Sequence, residues 1–133
     1  MALNIGKIIK AQGPVVDVQF AADKDLPDLN TAIKINNNGE ELTVEVAQHI
    51  GLDRVRAIAM QDTQGLERGM TVTDSGSMIS VPVGEKSLGR LFNVLGETLD
   101  GKGEIKDAPK RAIHQEAPSF VEQSTTTEVF ETG

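Results

Sequence analysis

Short segments in which apolar and polar residues alternate fill the first half of the chain, and turn-forming residues separate each segment from the next. In residues 15–20, the large apolar residues Val16, Val18 and Phe20 fall on one face. Side chains of a β-strand alternate between its two faces, so this period of two predicts a half-buried strand. The other predicted strands are residues 6–10, 33–35, 42–46, 54–60 and 70–73.

Turn signals between these segments predict how the strands connect. Gly13-Pro14 predicts a bend, and Asn36-Asn37-Asn38-Gly39 predicts a tight hairpin. Residues 65–69, which begin and end with glycine, predict a further turn. Short strands at this spacing are typical of a small antiparallel barrel, in which closure removes exposed edges. The sequence therefore predicts a mainly β fold, a closed six-stranded antiparallel barrel over residues 1–75.

The pattern changes after Gly76. Residues 79–83 predict one further strand, which Pro82 places at an edge. A short helix is then predicted with Glu85 in its first turn and Gly96 as its carboxy-terminal cap. Its apolar face, at positions i, i+3, i+4 and i+7, consists of Leu88, Leu91, Phe92 and Leu95. Residues 104–133 have weak periodicity and two prolines, and predict an extended segment that needs another surface to lie on.

Composition excludes several classes of function. Thirteen Lys and Arg against twenty Asp and Glu leave a net charge of −7, and the basic residues are scattered, so nucleic-acid binding is not expected. The chain has no cysteine for a disulfide or a thiolate site, and no Trp or Tyr. No apolar run approaches the roughly 18 residues of a membrane-spanning helix. Direct membrane insertion is therefore not expected.

The most tempting local motif is Gly84-Glu85-Lys86-Ser87, which resembles the end of a phosphate-binding loop. That loop needs glycines at the positions of Ser80 and Glu85, and a glutamate there would repel a phosphate. Gly101-Lys102-Gly103 is too short for a dinucleotide-binding motif. We therefore predict no phosphate-binding residue.

The remaining candidate groups also favour ordinary surface roles. His49 and His114 have no second histidine near them in sequence, so surface or capping positions are favoured over ligation or catalysis. The carboxylate pairs Glu40-Glu41 and Glu128/Glu131 fall where a solvated face is expected. Asp23, Asp25 and Asp28 are interrupted by Leu26-Pro27 and lack the glycine of a calcium loop. The sequence thus predicts no catalytic, cofactor-binding or metal-binding residue.

Three strings of residues nevertheless resemble a known family. The first is Gly6-Lys7-Ile8 with Gly13-Pro14-Val15-Val16-Asp17-Val18. The second is Val81-Pro82-Val83-Gly84, Leu88-Gly89-Arg90, Asn93-Val94-Leu95-Gly96-Glu97 and Asp100-Gly101-Lys102-Gly103. The third is Ile113-His114 with Ala117-Pro118, running to Glu131-Thr132-Gly133. In this order and spacing they resemble the amino-terminal part of the β subunits of F-type (rotary) ATP synthases. The early first strand and the string Asn93–Glu97 favour the β form over the sister α subunit. The V-type catalytic subunit is expected to carry a long insertion after the barrel, and this chain has none there.

The resemblance implies two domains and a role in assembly. Residues 1–75 would be the amino-terminal barrel, and residues 76–133 the start of an incomplete α/β nucleotide-binding domain, truncated before the phosphate-binding loop. The complete subunit would interconvert ADP and ATP with Mg²⁺, while this chain alone is expected to be inactive and to bind no cofactor. The implied partners are α subunits in an alternating ring and, for the complete subunit, the rotor stalk. The implied location is the cytoplasmic face of a bacterial membrane, reached through the assembled complex. The alternative is a stand-alone barrel that acts as an interaction module without catalytic activity.

Overall fold

Six antiparallel strands close into a barrel in the computed structural model, which describes residues 4–21 and 26–129. The order around the barrel is β1-β2-β5-β4-β3-β6, and β6 pairs with β1 to complete the circle. The predicted six-stranded closed barrel is thereby confirmed. The strands are β1 (Ile5–Gln12), β2 (Val15–Phe20), β3 (Thr31–Asn37), β4 (Glu40–His49), β5 (Arg54–Ala59) and β6 (Thr71–Met78).

The barrel interior is filled by β-branched and aliphatic side chains, and these come from the alternating positions identified in the sequence. Val16, Val18 and Ile33 have no exposed surface, and Phe20 is almost fully covered. The other buried members of this core are Ile8, Ile35, Leu42, Val44, Val46, Val55, Ala57 and Val72. Fully burying one such side chain contributes roughly 1.5–3 kcal/mol, so the interior is the main source of stability for the barrel.

The hairpin predicted from Asn36-Asn37-Asn38-Gly39 joins β3 to β4 through a two-residue turn, Asn38-Gly39. Asn38 and Gly39 both have positive φ, at 55° and 100°. These values fit a type I′ turn, whose twist matches the right-handed twist of the flanking strands. The side-chain oxygen of Asn36 accepts a hydrogen bond of 2.9 Å from the backbone N–H of Gly39. The turn and this bond fix the register of Asn37 opposite Glu40.

A second, two-stranded sheet follows the barrel. Strand β7 (Ser80–Pro82) lies within the predicted strand of residues 79–83 and pairs with β8 (Lys110–Ala112). Backbone bonds from Val83 to Pro109 and from Ile113 to Ile79 extend this pairing at both ends. The extended segment of residues 104–133, which is expected to need another surface to lie on, therefore finds part of that surface in β7.

The prediction of a helix over Leu88–Leu95 is wrong. The described residues after β7 contain a single 3-10 turn, Glu85–Ser87, and no α-helix. Gly89 has a φ of 68°, which interrupts a helix, and Leu88 and Leu91 are 76% and 58% exposed. The chain instead doubles back, with Leu99 donating a backbone hydrogen bond to Leu91.

Asn93 supplies the physical reason for this loop. Its side-chain oxygen accepts hydrogen bonds from the backbone N–H groups of Leu95, at 3.0 Å, and Glu97, at 2.9 Å. Asparagine side chains compete with helical hydrogen bonds in this way. Gly96, with a φ of 79°, donates a backbone hydrogen bond to the oxygen of Asn93, so it belongs to this turn rather than to the carboxy-terminal cap of a helix.

Candidate functional site

The outer wall of the barrel carries an ion pair between neighbouring strands. Asp17 on β2 lies opposite Arg56 on β5. The Arg56 guanidinium donates two hydrogen bonds, of 2.8 Å and 3.0 Å, to the two carboxylate oxygens. Arg56 lies over Asp17, which is only 6% exposed although it points away from the barrel interior.

This hydrogen bonding sets the ionisation of Asp17. The guanidinium of Arg56 holds the pKa of Asp17 below its ordinary value, partial burial opposes that effect, and the positive charge of Lys10 adds to the lowering. Asp17 is therefore a carboxylate at neutral pH with both oxygens engaged by Arg56. Such a group ties two strands together and is poorly placed to accept a proton from a substrate.

Basic side chains line the same side of the barrel. Lys7 and Lys10 on β1 are exposed, as is Arg54 on β5. Together with Arg56 they form what we term the basic wall, comprising Lys7, Lys10, Arg54 and Arg56. Its acidic neighbours are Asp17 and Asp53, the latter 3.5 Å from Arg54. The basic wall can meet an acidic surface of another protein, and a cavity of about 350 Å³ opens beside Lys10, Asp17 and Arg56.

A second ion pair closes the loop between β7 and β8. Arg90 donates hydrogen bonds of 2.5 Å and 3.1 Å to the carboxylate of Asp100, and a further bond to the backbone oxygen of Gly103. The two side chains are 16% and 12% exposed. The Arg90 hydrogen bond, and then those from the backbone N–H groups of Lys102 and Leu91, hold the pKa of Asp100 far below its ordinary value. Asp100 is thus fully used in shaping the loop.

A cleft with a volume of about 680 Å³ lies beside this loop. Apolar side chains of Pro82, Phe92 and Ile105 form part of its lining. Its charged lining residues are two carboxylates, Glu97 and Glu104, and one cation, Lys110. An excess of negative charge disfavours a phosphate ligand. The mixture of apolar and charged groups is typical of a surface between domains.

The residues of the rejected phosphate-loop motif are engaged locally. The hydroxyl of Ser87 donates to the backbone oxygen of Gly84 at 2.6 Å, within the 3-10 turn. The ammonium of Lys86 donates to the backbone oxygen of Lys106 at 3.2 Å. Both groups that would contact a phosphate and its magnesium ion therefore hold the loop in shape.

The two histidines make separate contacts, His49 at the end of β4 and His114 in the segment after β8. Nε2 of His49 lies 2.8 Å from the backbone oxygen of Pro27, and Nε2 of His114 lies 2.9 Å from a carboxylate oxygen of Glu45. The second contact joins the segment after β8 to strand β4. Both positions fit surface or capping roles.

The acidic candidates lie apart from one another. Glu40 and Glu41 are exposed beside the β3–β4 turn, and Glu41 forms an ion pair with Lys34. Asp28 and Glu128 are also exposed, whereas Asp23, Asp25 and Glu131 lie outside the described residues. Within residues 4–21 and 26–129, no three His, Asp or Glu side chains are grouped so as to hold a metal ion. The absence of catalytic, cofactor-binding and metal-binding residues stays a prediction.

Sequence reasoning missed both Arg–Asp ion pairs. A signal existed for the first, because Asp17 occupies an outward position of a strand rich in valine, where a charge needs a partner. Arg56 alternates with core residues on its own strand, but the pairing of β2 with β5 is not local and cannot be deduced from spacing.

Across the described ranges, no helix has the length and apolarity needed to cross a bilayer.

The fold and these surfaces define a small antiparallel barrel domain with a charged outer wall and an appended two-stranded sheet. The chain belongs to the ATP synthase alpha/beta family, because the model of that family's β-barrel domain matches residues 8–76. This match runs from β1 into β6 and so covers the barrel. The family is one of ATPases, and its barrel domain takes part in oligomeric assemblies of α and β subunits.

Proposed function

We propose that this chain is the amino-terminal part of the catalytic β subunit of a rotary, proton-translocating F-type ATP synthase, and that its barrel assembles the ring of alternating α and β subunits. The observation that carries the proposal is the closed barrel at the positions matched by the family's barrel domain. The role in a β subunit rests on the Asn93–Glu97 string.

The loop geometry supports a shared origin of the second string. Its polar residues make the contacts that shape the loop: Asn93 caps its own turn, and Arg90 pairs with Asp100. Its glycines Gly84, Gly89 and Gly96 all have positive φ. A string in which every special residue has a structural task is more diagnostic of descent than one of equal length on an unconstrained surface.

The barrel is the part suited to assembly. A domain of about 75 residues buries a modest share of its surface, so packing between neighbouring barrels would add stability. Contacts between unlike faces that are related by a closing rotation produce a ring. The basic wall offers one such face, with Lys7 and Lys10 exposed on it.

Exposed apolar side chains accumulate after the barrel, which fits the start of a larger domain. Large apolar residues that are at least half exposed there are Leu88, Leu91, Val94, Leu99, Phe120, Val121 and Val129. In the proposed subunit, residues 76–133 begin the nucleotide-binding domain, and its remaining chain covers this surface. The catalytic groups and the site for Mg-ATP or Mg-ADP belong to that remaining chain.

The proposed location follows from the proposed assembly. A β subunit in such a ring lies at the cytoplasmic face of a bacterial membrane and is held there through its partners, the α subunits and the rotor stalk. The isolated chain binds no nucleotide in this account, since its cleft carries more carboxylates than cations. Calorimetry that detects saturable micromolar binding of Mg-ATP to the isolated chain would contradict this.

A stand-alone interaction module is the second candidate, and the completeness of the barrel favours it. Strands β1 to β6 close on one another without help from any other domain. The coding sequence beyond Gly133 separates the two proposals. A G-x-x-x-x-G-K-[ST] motif within a few dozen codons supports the catalytic subunit, and a stop codon directly after Gly133 supports the module.

A further inference from the structure

The turn between β3 and β4 places a reactive dipeptide on the surface of the barrel. Asn38 and Gly39 are the two residues of this turn, and both are exposed. The chain has six asparagines, and only Asn38 is followed by a glycine. A Cβ added to Gly39 would meet no atom within 4 Å apart from its chain neighbours, so the α-carbon of Gly39 faces open space.

An asparagine before a glycine can lose ammonia without an enzyme. The backbone nitrogen of Gly39 loses its proton and forms a bond to Cγ of Asn38, the bond from Cγ to the side-chain nitrogen breaks, and ammonia leaves. Water then opens the five-membered succinimide at one of its two carbonyl carbons, which gives either aspartate or isoaspartate. The reaction needs only water and hydroxide, and any larger side chain on the following residue hinders it.

The structure places a restraint on this nitrogen. The N–H of Gly39 donates its hydrogen to the side-chain oxygen of Asn36 at 2.9 Å. While this hydrogen bond is intact, the proton that must leave is held, and the nitrogen is fixed in the turn. The remaining asparagine of the cluster, Asn37, is turned the other way and donates to the backbone oxygen of Gln64 at 2.9 Å.

We propose that Asn38 is a deamidation site of this protein, and that the side-chain oxygen of Asn36 sets its rate by holding the N–H of Gly39. This modification lies outside the proposed role in ATP synthesis. Its product adds one negative charge beside Glu40 and Glu41. The isoaspartate form also adds one backbone carbon to a two-residue turn, which no longer fits the register of Asn37 opposite Glu40.

The test compares three forms of the chain that are incubated at mildly alkaline pH and then digested for peptide mapping by mass spectrometry. In the wild type, we expect the mass gain of deamidation at Asn38 before any other asparagine, together with isoaspartate. Asn36→Ala removes the acceptor and should react about fivefold faster, the factor that corresponds to the loss of one ordinary hydrogen bond. Asn36→Asp keeps an acceptor oxygen and should react no faster than the wild type.

Two results would overturn the proposal. One is that other asparagines of the wild type, such as Asn93, are converted as early as Asn38. The other is that Asn36→Ala and Asn36→Asp react at the same rate while amide protection in β3 and β4 shows that both hairpins are folded. If Asn36→Ala opens the hairpin, two readouts still test the proposal. They are the order in which the asparagines of the wild type are deamidated, and the deamidation rate of Asn36→Asp relative to the wild type.

Discussion

Asp17 illustrates how a single outward position on a strand can be fixed by a partner that is distant in sequence. It alternates with buried valines, so its side chain leaves the interior, yet the guanidinium of Arg56 covers it. A nearly buried carboxylate without such a partner would be costly. Strands β2 and β5 are therefore joined by a side-chain contact as well as by their backbone ladder.

Replacing Asp17 with asparagine should lower the stability of the barrel at neutral pH, with an effect that fades in acid. The hydrogen bonds from Arg56 hold the pKa of Asp17 below its ordinary value of 3.8. Its stabilising contribution is therefore complete above that value, and it is lost as the pH falls through the lowered pKa of the folded state.

Urea unfolding of the wild type and of Asp17→Asn across the acid range measures this effect. The difference between the two midpoints should stay constant above about pH 5 and shrink below it. Glu41→Gln is a suitable control, because its partner Lys34 is exposed and surface ion pairs contribute little. A difference between wild type and Asp17→Asn that does not change with pH would contradict the role given to Asp17.

At the scale of elements, the strands were predictable and the loop after them was not. Alternation of apolar residues identifies a strand locally, and Asn38-Gly39 specifies its own turn, so β1 to β6 followed from the sequence. Local spacing also fits a helix with an apolar face of Leu88, Leu91, Phe92 and Leu95. Hydrogen bonds to Asn93 and the Arg90–Asp100 ion pair instead favour a loop that doubles back. The competing contacts join residues several positions apart, and periodicity does not detect them.

Asn93→Ala should loosen the loop and leave the barrel unchanged. The variant loses the side-chain oxygen that accepts hydrogen bonds from the N–H groups of Leu95 and Glu97, so exchange of these two amides should become about tenfold faster or more. Hydrogen exchange followed by mass spectrometry measures this directly. Val94→Ala is the matched control, because the side chain of Val94 is half exposed and should have little effect.

Exchange in β2 and β5 reports on the barrel in the same experiment. Unchanged protection in residues 93–99 of Asn93→Ala would show that the side chain does not shape the loop. Loss of protection throughout the barrel would show that loop and barrel unfold together.

At the scale of the whole molecule, the barrel should fold without the residues that follow it. Closure is complete at β6, and Ile79 directly after it is buried. A chain of residues 1–79 should therefore melt cooperatively, as followed by circular dichroism, and give dispersed amide resonances. The division of the chain into residues 1–75 and 76–133 stays a prediction until such a measurement is made.

A chain of residues 1–73 is the informative comparison. It lacks the pairing of Asp74 with Ile33 and of Met78 with Thr31, so β6 is shortened. We expect a clearly lower melting temperature than for residues 1–79. Equal melting temperatures would place the end of the folding unit before Asp74, and a random-coil spectrum for residues 1–79 would mean that the barrel needs its neighbours.

The most direct measurement of the central claim is the assembly of a fusion in which residues 1–133 replace the corresponding part of a bacterial F-type β subunit. The fusion is mixed with the natural α and rotor subunits, and native mass spectrometry and Mg-ATP hydrolysis are recorded beside the unmodified β subunit. We expect a ring of alternating α and fusion subunits that hydrolyses ATP. A fusion whose barrel is folded by circular dichroism but which stays monomeric would contradict it.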